Sequence, residues 1–473
     1  MCYNILKLIT INAFGQPIGS IGEQKLRMRY CMKIRKLSFI IVIALAAAIA
    51  FIGFNRSSSE AVIKSGSDIR IFIATDLHYF DKSLTDFSEG FDAFAVTRDG
   101  KQLLYSEEIM DSFHEDIKRH EPDILIVSGD LSYNGEAVNH RELRERFLRI
   151  EKLGTRVYVI PGNHDVLSIW ANGYRDGAPY SAENITHEDF REIYGSFGYD
   201  EGISFDEKTL SYLAAPSEDL WLLMLDSNKY FGDFSMPTGD GYITEETAQW
   251  IRECTEMAEA KGAKLISVMH HPLMRHSNRD VTGTYLSNTT DVVELFRELG
   301  IELNLSGHIH IQDIKRDDPE DPKVYDIVNS ALIVYPHQYG ALEYTDSGGF
   351  EYSKQRVDVE TWAREQKKED PNLLGFNSYA QETFGRRPYN IAREELELLG
   401  IYTESEIEGM ALMVRDLNLR QFEGSVYPIK KELLEDPIYK LFIKTKSEYL
   451  YDFVYSIVHS VDMDSTNLRL GAE

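Results

Sequence analysis

The sequence predicts an α/β fold carrying a helical appendage at its C-terminal end, and three observations predict it. From Asp68 onward, short apolar runs alternate with longer amphipathic ones, the pattern of strands and helices stacked in layers. After about residue 360 the glycine and β-branched runs thin out and charged helical patterns replace them. The chain has 473 residues, 43% of them hydrophobic. That is more than one ordinary core needs, so the length implies two domains, or one large domain with a sizeable extension.

Taken in order, residues 1–36 are an N-terminal tail ending in a basic stretch, Lys33, Arg35 and Lys36. Residues 37–54 are uninterrupted by charge (LSFIIVIALAAAIAFIGF). A basic flank before such a run is the form of a signal sequence or membrane anchor. At about 18 residues it reaches the lower limit for spanning a bilayer, and its positive flank would leave the rest of the chain outside the cytoplasm. We therefore expect a secreted protein, or one anchored to the cell membrane by residues 37–54. Met32 is a natural start for such a signal. Residues 55–67 are polar and read as a linker; no cysteine stands directly after the apolar run to carry a lipid.

A main domain is expected over 68–355. Its strands are Ile71–Ala74, Ile124–Val127, Val157–Ile160, Leu222–Leu225, Leu265–Met269 and Leu303–Leu305, with further strands across Val324–Val334 and Ala341–Tyr344. Each is a short apolar run of strand length. Helices are expected near 102–119, 136–153, 244–260 and 289–299. The third has the clearest start, with Thr244 as N-cap and Glu245 and Glu246 in the first turn. Residues 356–473 form the helical region. Leu450, Phe453, Val454, Ile457 and Val461 share one helical face, as do Met410, Met413 and Leu417. Both stripes are expected to pack onto the main domain.

Composition excludes some functions. Lys plus Arg number 50 against 77 Asp plus Glu, a formal charge of −27. Such a surface repels polyanions, so long nucleic acid is a poor substrate. A small anion held by metal ions stays compatible with it. Of the three cysteines, only Cys254 lies beyond the apolar segment, so neither a disulfide framework nor a cysteine zinc site is available there.

Five short motifs come directly after five of the strands: Asp76-Leu77-His78, Gly129-Asp130, Gly162-Asn163-His164-Asp165, His270-His271-Pro272 and Gly307-His308-Ile309-His310. Ligands in layered α/β domains bind at the carboxyl ends of strands, so these loops can converge on one pocket. Six of the chain's 13 histidines lie in them. Mixed Asp, Asn and His donors suit iron, manganese or zinc better than magnesium or calcium. The D-x-H and H-x-H spacings would put each pair on one face of an extended segment. Two dications, two carboxylates and a hydroxide leave about one positive charge, which suits a singly charged phosphodiester.

In this order, the five motifs resemble those of the calcineurin-like metallophosphoesterase superfamily. The DxH start and the HHP segment are most similar to the class III cyclic-nucleotide phosphodiesterases, and the helical tail to an exported bacterial subgroup of them. The resemblance implies a four-layer αββα sandwich holding two divalent ions (Fe, Mn or Zn). It implies that Asp76, His78 and His310 hold one ion, that Asn163, His270 and His308 hold the other, and that Asp130 bridges them. It further implies that His164 faces the substrate and protonates the leaving oxygen, with Asp165 orienting that imidazole or its loop. Asn163 and His164 would face the substrate, and His271 would either face it too or stand behind the metal ligands. His276, His337 and Arg275 lie near motif loops and are weaker candidates for substrate contact. Gly129-Asp130-Leu131-Ser132-Tyr133 also resembles the GDxxY motif of purple acid phosphatases, but those begin DxG where this chain has His78.

The expected activity is hydrolysis of a small phosphodiester, a cyclic nucleotide by preference, through a hydroxide bridging the ions. Alternatives are a phosphomonoesterase on the same site (an acid phosphatase or nucleotidase), a phosphoprotein phosphatase, and an inert metal-binding surface protein. No protein partner is expected.

Overall fold

The computed structural model describes residues 62–88, 91, 100–230, 237–279 and 281–471. The expected tail, apolar segment and most of the linker lie outside the described residues. Among the described residues, no helix is long and apolar enough to cross a membrane.

The first layers form from β1 (Ile69–Ala74), α1 (Ser106–His120), β2 (Ile124–Ser128), α2 (Ala137–Glu151) and β3 (Arg156–Ile160). β1, β2 and β3 run parallel, with Ile73 opposite Ile126 and Ile126 opposite Tyr158. Strands covered on both faces need apolar residues at nearly every position, and Ile71 through Ala74 are all buried. A hairpin, β4 (Asn172–Arg175) and β5 (Ala178–Ser181), and the short helix α3 (His187–Ile193) come next.

The second sheet begins with β6 (Ser204–Phe205), β7 (Tyr212–Ala214) and β8 (Leu220–Leu225). It continues through α4 (Glu245–Glu259), β9 (Lys264–Met269), α5 (Thr289–Leu299), β10 (Leu303–Ser306), β11 (Asp313–Arg316) and β12 (Tyr325–Val328). The chain then returns to the first sheet as β13 (Gln338–Tyr344) and β14 (Phe350–Arg356). The Thr244 side chain accepts from the Thr247 amide at 3.1 Å, the N-cap its sequence announces.

Alternation along β8 shows how the sheets stack. Leu220, Leu222 and Met224 join the core shared with Ile71 and Ile73, whereas Trp221, Leu223 and Leu225 face Trp250, Ile251 and Cys254 of α4 and Phe296 of α5. On the far face of the first sheet, Phe72 and α1's Phe113 pack on Tyr339 with ring centroids 4.8 and 5.0 Å apart. Helices, sheet, sheet, helices is the predicted four-layer order.

Past Val359 the chain is helical: α6 (Val359–Glu365), α7 (Pro371–Leu374), α8 (Phe376–Leu399), α9 (Glu404–Glu423), α10 (Lys430–Glu435), α11 (Pro437–Phe442) and α12 (Glu448–Ser460), ending in β15 (Asn467–Leu470). The sheet orders are β15-β14-β13-β1-β2-β3 and β11-β12-β10-β9-β8-β7-β6.

Four expectations need correction. The strand expected across Val324–Val334 stops at Val328; the chain then leaves the sheet, and the Ile333 carbonyl accepts from Gln102 instead. The two helical stripes do not pack onto the main domain. Met410, Leu417, Leu450, Val454 and Ile457 form a separate core among the helices, with Ala392, Leu396 and Phe442. The C-terminal region is not purely helical, because β15 pairs antiparallel with β14, Tyr352 opposite Leu468. The end of the linker is already bonded in: Ile63 bridges Ser217 and Lys64 pairs with Glu218 at 2.6 Å.

Candidate metal centre

All five motif loops leave the carboxyl ends of parallel strands, three from the first sheet (β1, β2, β3) and two from the second (β9, β10). Main-chain bonds sew them together. The amides of Asp76 and His78 donate to the carbonyls of Gly129 and Asp130, at 3.1 and 2.9 Å, and Gly307 donates to His270 at 3.0 Å. Two clusters of donor atoms result: Asp76, His78 and His310, and Asp130, His270 and His308.

In the first, His310 Nε2 lies 3.2 Å from Asp76 Oδ1 and 3.2 Å from His78 Nε2. In the second, His270 Nε2 lies 3.3 Å from Asp130 Oδ2 and 3.2 Å from His308 Nδ1. Asp130 Oδ2 is also 3.6 Å from His78 Nε2, so this one oxygen sits between the clusters.

The other atoms of four of these side chains are committed elsewhere, which sets the tautomers of the two histidines among them. His270 donates Nδ1–H to the Ser128 carbonyl at 2.9 Å, and His308 donates Nε2–H to the Gly283 carbonyl at 2.7 Å. Asp76 Oδ2 accepts from the His308 amide at 2.9 Å, and Asp130 Oδ1 from the His164 amide at 2.9 Å.

These residues fit cations. Asp76 and Asp130 are 0% and 2% exposed, and buried carboxylates need positive charge close by. Asp76 Oδ1, Asn163 Oδ1 and His78 Nδ1 are buried without a hydrogen-bond partner. Burial holds His78 well below the ordinary histidine range and pushes His308 down to about 4, keeping both neutral as ligands must be. At His270 burial acts the same way, but the Asp130 carboxylate outweighs it and raises the imidazole to about 9.

The backbone is strained where the ligands sit. Asp76, His78, Asp130, His308 and His310 all have positive φ, between 35° and 69°, a region that L side chains occupy at a cost. The two short spacings therefore do not act as extended segments. Asp76 and His78 share a cluster, but His308 and His310 are split between the two. Gly129 (φ 94°) answers a second constraint: a Cβ there would lie 2.6 Å from His270 Nδ1.

The remaining candidates divide. His164 stands half-buried at the edge, its ring 5.1 Å from that of His78, with Nδ1–H donating to Asn134 Oδ1 at 2.8 Å. Asp165 does not touch that ring. Its carboxylate accepts from the amides of Leu131, Ser132 and Gly162 at 2.8–3.1 Å, so it ties two motif loops together. Burial, reinforced by Asp130, lifts it to about 7.

His271 is fully buried, bonded through Nδ1 to Ser227 Oγ at 2.9 Å and packed 4.4 Å from the His308 ring; it backs His308 rather than facing substrate. His276 is locked between Asp313 and Asp326 at 2.9 and 3.1 Å. His337 is buried on the Leu332 carbonyl, and Arg275 caps the carbonyls of Ser277 and Asn278. Tyr133 packs edge-on against Phe80. Sequence reading missed Asn134, four residues past Asp130, and Ser227. It could not have found the Ser128 and Gly283 carbonyls, which act through backbone alone.

The layered sheets and the paired ligand clusters define a metallophosphoesterase, a hydrolase that uses divalent metal ions. The family model for calcineurin-like phosphoesterases matches residues 69–312, more than half the chain, and the protein belongs to that family. A second model, described as the C-terminal domain of cyclic nucleotide phosphodiesterase, matches residues 358–464. No curated protein matches the chain. Similar solved structures include a dimetal phosphatase from Danio rerio, at 13% identity and a TM-score of 0.42, covering 61% of this chain and 96% of that one. Another is GAP50, the anchor in the inner membrane complex of Plasmodium, at 11% identity and a TM-score of 0.34, covering 61% and 85%.

Proposed function

We propose that the protein hydrolyses a small phosphodiester, preferentially a cyclic nucleotide, to a phosphomonoester. The observation that carries this reading is Asp130. One carboxylate oxygen lies between the two histidine clusters, and the other holds the main chain of His164 beside them. The likeness of residues 358–464 to the C-terminal domain of a cyclic nucleotide phosphodiesterase favours the diester.

Asp76, His78 and His310 would hold one ion, and Asn163, His270 and His308 the other, with Asp130 between. When bound, the ions supply positive charge for the nonbridging phosphate oxygens and lower the pKa of a water. His164 supplies the proton. Because Nδ1 is committed to Asn134, Nε2 is the nitrogen left to face the substrate. The water would give up one proton to solvent as its oxygen bonds to phosphorus, and the ester P–O bond opposite it would break. The departing oxygen would take Nε2–H from His164 in its imidazolium form, Nδ1–H staying on Asn134; the proton released from water matches the one that recharges His164.

The test is a panel of 2′,3′- and 3′,5′-cyclic nucleotides with an aryl diester and an aryl monoester, metal content being measured on the same preparation. Turnover of the diesters, abolished in Asn163→Ala and His270→Ala, is the expected result. Faster turnover of the monoester would replace the diester reading with a phosphomonoesterase. Undiminished activity after metal removal would end both.

We also propose that the catalytic region acts outside the cytoplasm, delivered by residues 37–54 behind Lys33, Arg35 and Lys36. Protease added to intact cells should then digest it, and full protection would refute the assignment.

A further inference from the structure

One segment joins the metal centre to the C-terminal helices. At its helical end the Asn278 amide donates to Ser460 Oγ at 2.8 Å. The Arg279 guanidinium lies over two rings of α12, 5.7 Å from the centroid of Tyr449 and 5.9 Å from that of Phe453. Those rings stack on each other, 6.4 Å apart and inclined by 27°. At its other end the Gly283 carbonyl takes Nε2–H of His308. Two further bonds link described residues of this segment: the Val281 amide donates to the Arg279 carbonyl at 3.1 Å, and Thr284 Oγ1 donates to the Val281 carbonyl at 2.9 Å.

The Gly283 bond does chemical work. By taking Nε2–H it leaves Nδ1 of His308 as the nitrogen aimed at the second cluster, 3.2 Å from His270 Nε2. An imidazole whose outer nitrogen loses its acceptor is free to rotate and to change tautomer, and such outer partners contribute strongly to metal affinity. Tyr449 is 46% exposed and lies outside the helical core, while Phe453 packs against that core from its rim. The contact of Arg279 with Tyr449 is thus separable from the folding of α12.

We propose that the C-terminal helical region positions the second metal cluster through this segment, with Arg279 as the positioning residue: its hold on Tyr449 and Phe453 keeps the Gly283 carbonyl on His308. This rests on the reading of His308 as a metal ligand.

The full chain is stripped with chelator and titrated with Mn²⁺ alone, calorimetrically, alongside thermal unfolding of the metal-free protein. Arg279→Ala should weaken binding of one ion about tenfold and leave the other ion and the metal-free unfolding temperature unchanged. Arg279→Lys should restore most of that affinity, because an ammonium also sits favourably over an aromatic ring. Phe453→Leu should weaken the same ion, and the double variant should be no worse than the stronger single one. Wild-type binding of both ions in Arg279→Ala and Phe453→Leu overturns the inference, as does a defect that Arg279→Lys leaves unrepaired. His308→Ala is the control. If it too binds both ions normally, the ligand reading has failed; if it alone loses an ion, only the role of Arg279 has.

Discussion

At the scale of single residues, the site is assembled by side chains that spend one atom on the protein and leave the other for a ligand. His164 is the case where this bears on rate. With Nδ1–H held by Asn134, the Nε2–H of the imidazolium form is aimed by a neutral amide. Replacing His164 with Ala should slow hydrolysis of an alkyl diester by about 10²-fold or more. An aryl diester, whose phenolate departs unaided, should slow far less. Equal losses on both would remove His164 from the proton-donor role. Asn134→Ala should show the same dependence on leaving group in milder form, lowering kcat more than it raises KM. Gly129→Ala tests packing: its Cβ would strike the His270 ring at a positive φ, so it should cost about 2 kcal/mol of stability and weaken metal binding. Denaturant melts and metal titration of the same variant measure both.

At the scale of elements, caps and buried ion contacts decide which segments hold. Helix α9 begins with a full capping box, in which Thr403 accepts from the Glu406 amide and the Glu406 carboxylate accepts from that of Thr403. Thr403→Ala should cost about 1 kcal/mol of unfolding free energy. His276 ties the segment after β9 to β11 and β12 through Asp313 and Asp326. Burial pulls its pKa down, but hydrogen bonds to the two carboxylates outweigh that and raise it above the ordinary histidine value. A histidine raised on folding stabilises fully below its unfolded pKa of about 6.5 and loses that contribution as pH rises through the folded value. The unfolding free energy of wild type minus that of His276→Asn should therefore shrink as pH rises from about 6. A difference that stays constant, or grows, would show that the imidazole is not charged in the fold.

At the scale of the whole molecule, the chain leaves the first sheet at Arg356, builds a helical body with its own core, and returns to cover the sheet's edge with β15. Ser465 reinforces the return, accepting from Gln312 through its carbonyl at 3.0 Å and donating from Oγ to Asp313 at 2.7 Å. A chain truncated after Val357 would expose β14 as an open edge, a template for pairing with other chains. We expect such a truncation to aggregate, by light scattering, under conditions where the full chain stays monodisperse. A soluble, fully active truncation would show that the helical region contributes nothing to the main domain.

The sequence by itself determined the strands whose apolar runs are buried on both faces, the Thr244 cap, and the identity of the residues that meet at the metal centre. Those signals are local: composition, period and short motifs lie within a few residues of one another. Only the tertiary structure decided which partner each ligand leans on. Ser128 and Gly283 act through carbonyls, Asn134 and Ser227 belong to no metal motif, and the left-handed backbone at Asp76 and His310 is imposed by neighbouring loops. The same holds for the helical stripes and for β15. An apolar face in sequence says that it will be buried, and not against what, because that choice depends on contacts between segments well separated along the chain.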